Sequence, residues 1–154
     1  FFQHGHTYMG HATACAAALA VQKVIERDQL LDNVIERGQQ LRDELHAALD
    51  LHPNVGDIRG RGLMVGIELV ADKDSKAPLN HKEKTHAKLR KVAMEKGLLM
   101  YPMGGTVDGV HGDHILLAPP FICTPNDISR IVELVSATLY EVLPFAIEPI
   151  ALRA

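Results

Sequence analysis

Tryptophan is absent from the 154 residues, and cysteine occurs only twice. Because Cys15 and Cys123 show no CxxC spacing, the sequence excludes a disulfide framework and a cysteine zinc site. Long apolar runs are missing too, since the longest, residues 14–21, is far shorter than the roughly 20 residues that a membrane-spanning helix needs. These absences predict a cytoplasmic protein that does not enter a membrane.

An excess of positive charge is also lacking, because 16 basic and 19 acidic residues give a formal net charge of -3. This balance offers no electrostatic attraction for nucleic acid or for an anionic membrane. What is present is a hydrophobic content of 47% beside 23% charged residues. Such a composition is typical of a folded domain with a single core.

Hydrophobic periodicity predicts helices at residues 12–28, 29–51, 81–96 and 124–143. Thr124 and Asp127 are expected to cap the last of these helices, and Gly97 to end the third. Patterns typical of β-strands flank the Gly60/Gly62 pair within residues 55–70 and recur at 98–101 and 114–118, with a glycine-rich loop at 103–112. The order of these elements predicts an α+β fold, in which a small, mostly antiparallel sheet has its helices on one side.

The segment HGHTY, residues 4–8, concentrates side chains that bind or react. His4, His6 and His11 lack a neighbouring Asp, Glu or Cys that would complete a metal site, so no metal centre is predicted. The Thr7 hydroxyl precedes Gly10 and a predicted helix start, where free backbone N–H groups suit an anion such as a phosphate. The alternative is that Thr7 only caps the helix.

Other catalytic devices have little support in the sequence. No GxSxG motif occurs, and Cys15 lies in an alanine-rich stretch, where an inert, buried thiol is expected. A strand follows the Gly60/Gly62 pair, whereas a phosphate-binding loop requires a helix there, so no nucleotide site is predicted. Structural or surface roles are expected for four further histidines: His46 and His52 flank a helix end, and His81 and His86 are expected on an exposed face.

Four segments together carry a family resemblance: HGHTY at 4–8, ACAAALA at 14–20, VGDIRGRGLMVGIEL at 55–69 and APPFI at 118–122. In this order they resemble the C-terminal third of class III aminotransferases of the ω-amino-acid:pyruvate type, which depend on pyridoxal phosphate. The resemblance implies that the Thr7 hydroxyl, with Tyr8 beside it, binds the phosphate of a cofactor held by the other subunit of a homodimer.

The same resemblance divides the chain and limits its activity. Residues 1–28 correspond to an interface loop and connecting helix, and residues 29–154 to the C-terminal small domain of a fold-type I pyridoxal-phosphate enzyme. In family members the lysine that carries the cofactor, and the carboxylate that contacts its ring nitrogen, precede the HGHTY motif. The chain is therefore expected to be a fragment that is inactive alone.

Substrate residues implied by the resemblance differ from those of the ornithine and GABA types. Where these types have a carboxylate-binding arginine before Ala-Pro-Pro, this sequence has Leu116. The loop at 104–112, which corresponds to the mobile arginine of the ω-amino-acid type, contains no arginine. His111 or His114 is the candidate substitute, and Tyr101 and Met103 are candidates for the substrate entrance. Arg59 and Arg61 are interpreted as structural salt-bridge residues.

Three functions remain open at this point. The parent protein is expected to move an amino group from an amine or ω-amino acid to a keto acid such as pyruvate. A related aminomutase or racemase is the second possibility, and a freestanding interaction domain is the third. Phe1, Phe2 and residues 12–21 carry apolar surface that favours a fragment, which we expect to self-associate when it is isolated.

Overall fold

The computed structural model describes residues 3–145, and Phe1 and Phe2 lie outside that range. Its helices are α1 (Ala12–Arg27), α2 (Leu30–Leu49), α3 (Thr85–Glu95) and α4 (Pro125–Val142). Its strands are β1 (Val55–Arg61), β2 (Met64–Leu69), β3 (Tyr101–Gly104) and β4 (Asp113–Leu117). All three strand pairings are antiparallel in the order β1-β2-β4-β3. The predicted α+β fold is therefore confirmed.

One face of the sheet forms the core. Ile58, Ile67 and Ile115 lie side by side on three adjacent strands and are almost completely buried. They pack against apolar residues of α2, α3 and α4, including Leu45, Leu89 and Leu139. Burial of these aliphatic side chains is the main favourable term in the folding of the domain. No helix within residues 3–145 covers the opposite sheet face, which we call the open face.

Local signals in the sequence set the ends of α3 and α4. Thr124 accepts the N–H of Asp127, and the Asp127 carboxylate accepts the N–H of Thr124, so the predicted capping box before α4 is confirmed. Gly97 follows α3 with a φ of +81°, the left-handed conformation that glycine adopts readily at a helix C-terminus.

Gly38 is the weak point of α2 in sequence terms, and the structure shows why glycine is there. A Cβ atom at Gly38 would lie 2.3 Å from the Gly62 carbonyl oxygen in the β1–β2 turn. The backbones of the helix and the turn therefore touch directly. Packing between distant segments, which periodicity does not report, accounts for this glycine.

Strand β3 begins later than predicted, at Tyr101 and not at residue 98. Tyr101 pairs with Leu116, so in the same register Leu99 and Leu98 would face Ala118 and Pro119, beyond the end of β4, and Pro119 lacks an N–H group. Leu98 and Met100 still bury their side chains in the core. The apolar pattern of residues 98–101 thus reflects the burial of side chains, and it did not correctly predict which residues pair with β4.

Two residues differ from their predicted surroundings. Cys15, expected to be buried, is exposed on α1, because no residue of this helix is buried within the described structure. His86, expected on an exposed face, is half-buried, and its Nδ1 lies 2.7 Å from Oδ1 of the buried Asp113. The same carboxylate accepts the His86 backbone N–H at 3.2 Å and so caps α3 from β4.

Residues 3–28, which we call the α1 arm, stand apart from this core. The helix of the arm contacts α2, and Ile25 is its only half-buried residue. Among residues 3–145, no helix combines the length and hydropathy needed to cross a bilayer.

Candidate functional site

Two consecutive turns shape the HGHTY loop at the start of the α1 arm. The Met9 N–H donates to the His6 carbonyl at 3.0 Å, and the His11 N–H donates to the Tyr8 carbonyl at 3.1 Å. Gly10 has a φ of +73°, which the second turn requires. Thr7 and Tyr8 occupy the central positions of the first turn and are both exposed.

The donors of this loop suit one side of a phosphate site. Within residues 3–145, neither the Thr7 hydroxyl nor the backbone N–H groups of Thr7 and Tyr8 make a hydrogen bond. A hydroxyl beside outward N–H groups is a donor set that binds phosphate oxygens. The residues present therefore fit a phosphate contact that a second surface would complete.

Thr7 does not cap α1, so the alternative role considered for it is wrong. His11 is the N-cap residue, and its Nδ1 accepts the Ala14 N–H at 3.4 Å. The His11 ring also meets the Tyr8 ring edge to face, with centroids 5.8 Å apart. Within residues 3–145, no group of three or more His, Cys, Asp or Glu side chains is arranged to hold a metal ion.

The open face of the sheet brings several candidate substrate residues into two neighbouring rows. In one row Leu116 lies between Gly66 and Tyr101, and in the next His114 lies between Glu68 and Met103. Because side chains alternate along a strand, residues 114 and 116 both project away from the helix layer. Leu116 and Tyr101, far apart in sequence, are therefore direct cross-strand neighbours.

Arg59 lies on the open face but is already paired. Its guanidinium lies 2.8 Å from the Asp57 carboxylate and 2.7 Å from the Glu68 carboxylate. Hydrogen bonds to Asp57 and then Glu68 raise the pKa of Arg59 above its ordinary value. The structural interpretation of Arg59 is confirmed, whereas Arg61 makes no ion pair within the described residues.

His111 is held in the β3–β4 loop, away from Tyr101. Its Nδ1 lies 2.8 Å from an Asp108 carboxylate oxygen, and its ring meets the His81 ring with centroids 4.8 Å apart. The backbone N–H of His111 is the main cause that holds the pKa of Asp108 far below its usual range. Tyr101 lies at the opposite end of β3, so the structure does not bring these two candidates together.

His114 is better placed than His111 to face a ligand. It is half-buried on the open face, and its Nδ1 lies 2.7 Å from the Thr106 hydroxyl, which fixes the ring. The strand alternation at 114–118 was the signal in the sequence that placed His114 and Leu116 on one face. Nothing in the sequence indicated that Thr106 would contact this ring.

An apolar cleft of about 580 Å³ borders the open face at the end of β4. Tyr101 and Leu116 line it together with Leu99, Pro119 and Pro120. Leu99 is 84% exposed, and Tyr101 is 56% exposed, so the cleft opens outward. This cleft and the two rows that contain Leu116 and His114 form the candidate substrate surface.

The aminotransferase class-III family model matches residues 1–139, and the chain belongs to this family. The family resemblance found in the sequence is thereby confirmed. An uncharacterized aminotransferase of Schizosaccharomyces pombe is 47% identical over 133 residues, which are 86% of this chain and 29% of that protein. The adenosylmethionine-8-amino-7-oxononanoate aminotransferase of Methanocaldococcus jannaschii is 38% identical over 125 residues, which are 81% of this chain and 25% of that protein.

A solved structure shares the fold as well. The amine transaminase of an uncultivated Pseudomonas species, in its PLP-bound form, has a TM-score of 0.78 and 32% sequence identity. The match covers 92% of this chain and 30% of that one. The chain thus spans about 30% of the length of the proteins that it resembles.

Proposed function

We propose that this chain is the C-terminal part of an aminotransferase that moves an amino group from an amine or ω-amino acid to a keto acid such as pyruvate. The family match supports the reaction class, and the likeness to an amine transaminase supports the donor class. Pyridoxal phosphate, when bound, supplies the electron sink for amino transfer. The residues of this chain supply contacts to the cofactor phosphate and to the substrate.

The phosphate contact is assigned to the α1 arm. The Thr7 hydroxyl and the N–H groups of Thr7 and Tyr8 are exposed and unpartnered within the described residues, as a contact to another subunit requires. In this proposal residues 1–28 connect the cofactor domain to the small domain at 29–154. The enzyme is then a homodimer or a larger assembly in which each α1 arm reaches the cofactor of its partner.

The observation that carries the donor class is Leu116 at the centre of the open face. Its neighbours Gly66 and Tyr101 are uncharged, and the nearest arginine of the face, Arg59, is neutralised by two carboxylates. An apolar wall of this kind favours the carbon chain of an amine over a second carboxylate. His114 is the remaining polar contact for a substrate carboxylate, in place of an arginine.

Donor preference in the full-length protein tests this assignment. With pyruvate as the acceptor, we expect faster amino transfer from a simple aralkyl monoamine than from ornithine. Leu116→Arg should reverse this order for donors with a carboxylate remote from the amine, because arginine offers paired hydrogen bonds. Equal rates with the monoamine and with ornithine in the parent enzyme would contradict the proposal that Leu116 and its neighbours form an apolar wall for the donor.

Two substitutions separate the roles of the histidines. His114→Phe should raise the KM for the keto acid, whereas His111→Phe should leave it unchanged, since His111 is engaged by Asp108. If only His111→Phe raised the KM for the keto acid, the contact with the substrate carboxylate would belong to His111 and not to His114. Conversion of a single amino acid without any keto acid would instead indicate the aminomutase or racemase alternative.

The affinity for the cofactor tests the phosphate contact without any measurement of catalytic activity. Thr7→Val should weaken cofactor binding by the full-length protein by about ten- to a hundredfold, since one hydrogen bond to a charged group is worth about 1.5–3 kcal/mol. Thr7→Ser should restore it. Thr13→Val, which alters an exposed threonine on α1, is the matched control. The 154-residue chain alone should not transaminate, because its lysines lie outside the cofactor-binding motif of the family.

A further inference from the structure

His52 lies in the core, although histidine is usually partly exposed. Its side chain has no exposed surface, and it lies just beyond α2, between that helix and the end of α4. The imidazole ring contacts the rings of Tyr140 and Phe145, with centroids 5.2 and 4.8 Å away. Tyr140 and Phe145 also stack on each other at 5.5 Å. The ring of His52 therefore holds the segment that follows α4.

The hydrogen bonds of His52 require a neutral ring. Nδ1 accepts the Asn54 backbone N–H at 3.1 Å, so Nδ1 carries no proton. Nε2 is buried and lacks a partner of good geometry within the described residues, although it faces the Leu143 carbonyl. A protonated ring would lose the Asn54 bond and would bury a positive charge in the core.

The charges around His52 also disfavour protonation. Burial is the main cause that lowers the pKa of His52 below its ordinary value, the Leu143 carbonyl opposes this shift, and the positive charge of Lys73 adds to it. Lys73 lies after β2 and donates to the Asp50 carbonyl at 2.5 Å.

The carboxylates on the adjoining helices have other partners. Asp50, at the end of α2, bonds His46 at 2.9 Å. Glu141, on α4, bonds Lys96 at 2.6 Å. The Tyr140 hydroxyl donates to the Ala48 carbonyl at 3.1 Å. No carboxylate within the described residues is thus shown to stabilise a charged His52.

We propose that neutral His52 is an acid-sensitive latch, which fastens residues 143–145 to the end of α2 and releases them when it is protonated. The released segment exposes Phe145, while the sheet and its helix layer stay folded. Because the closed state has the lower pKa, the open state binds the proton more readily. The latch is therefore closed above the ordinary histidine pKa of about 6.5 and weakens as the pH falls below it.

Amide hydrogen exchange of the 154-residue chain tests the latch. The Leu143 N–H donates to the Leu139 carbonyl at 2.8 Å and reports local opening. Corrected for the intrinsic exchange rate, its protection should fall by about tenfold per pH unit between roughly pH 6.5 and the lower pKa of the closed state. Amides of β2 should keep their protection over the same range.

Two variants separate the latch from general acid effects. His52→Gln cannot be charged, so its Leu143 protection should not depend on pH, whereas His46→Gln should behave as the parent chain does. The same loss of protection in His52→Gln, or a parallel loss in β2, would overturn the proposal.

If His52→Gln does not fold, NMR titration of the parent chain replaces it. The ring signals of His52 must then titrate below those of the exposed histidines. Titration at the same pH as those histidines would overturn the latch.

Discussion

The α1 arm and the core contain similar apolar side chains and differ in what covers them. Leu19 and Val21 on α1 are each 57% exposed, whereas Leu41 and Leu45 on α2 have no exposed surface. Residues 12–21 carry no charge on any side of the helix, a pattern typical of a helix that is surrounded by protein. In contrast, α2 has charged residues on its outer face and is covered on one side only.

This difference teaches that the two regions have different tasks. The core binds its own elements together, so changes there should alter the free energy of unfolding. The α1 arm exposes an apolar helix and the HGHTY loop, for which we propose contacts with a partner subunit and with a phosphate. Changes in the arm should alter association and ligand contacts and leave unfolding almost unchanged.

Truncation of a core leucine should have the largest effect. Leu45→Ala should lower the free energy of unfolding by about 2–5 kcal/mol, because it leaves a cavity beneath the sheet. Leu19→Ala on the arm should change it by less than about 0.5 kcal/mol. Urea unfolding of both variants measures the two values. Equal losses would show that the arm is packed as tightly as the core.

Replacement of a glycine by alanine should give the second-largest difference in stability between the core and the α1 arm. In Gly38→Ala the new Cβ would meet the Gly62 backbone, so the variant should lose about 1–3 kcal/mol despite the better helix propensity of alanine. Gly5→Ala in the arm has no atom within 4 Å of the new Cβ and should be close to neutral. Thermal unfolding compares them, and a neutral Gly38→Ala would refute the direct backbone contact.

The isolated chain should associate through the arm. A wholly apolar surface of Val21, Val24 and Phe121 with their neighbours lies between α1 and the core. Val21→Glu should weaken self-association by about tenfold, equivalent to about 1.4 kcal/mol, because a charge would be buried. Met94→Glu on α3, where the methionine is 58% exposed, is the matched control. A monodisperse monomer of the parent chain in light scattering would contradict this expectation.

Removal of a helix cap should give the smallest difference between the core and the α1 arm. Thr124→Ala should cost about 1 kcal/mol in unfolding, whereas His11→Ala should only reduce the helicity of the arm, measured by circular dichroism. The Thr124 backbone and hydroxyl bonds lower the pKa of Asp127, so the capping carboxylate stabilises the fold above its ordinary pKa. The difference between the parent and Thr124→Ala should therefore shrink as the pH falls through the acidic range. A difference independent of pH would show that Asp127 does not take part.

Local sequence signals predicted much of the fold. The helix periods, the capping box at Thr124 and the glycine after α3 depend on neighbours a few residues away, and these predictions are confirmed. The start of β3 was wrong because a strand exists only where a partner strand pairs with it. The partial burial of His86 was not predicted either, because its partner Asp113 belongs to strand β4, which is distant in sequence.

The residues of the candidate site also divide into those that a local motif indicated and those that only the fold identified. Thr7 was predicted from the HGHTY motif, because a hydroxyl in a tight loop is a local feature, and its phosphate contact stays a prediction. The choice between His111 and His114 was open in the sequence, since both are near β4. Only the strand pairing placed His114 beside Leu116, and only the folded loop brought Thr106 to its ring.

By itself, the sequence determined the family and the α+β class, because these depend on motifs and periods along the chain. Tertiary structure alone decided which sheet face stays open, which histidine lies on it and why Gly38 and His52 are where they are. The physical reason is that burial and hydrogen bonding join residues far apart in sequence.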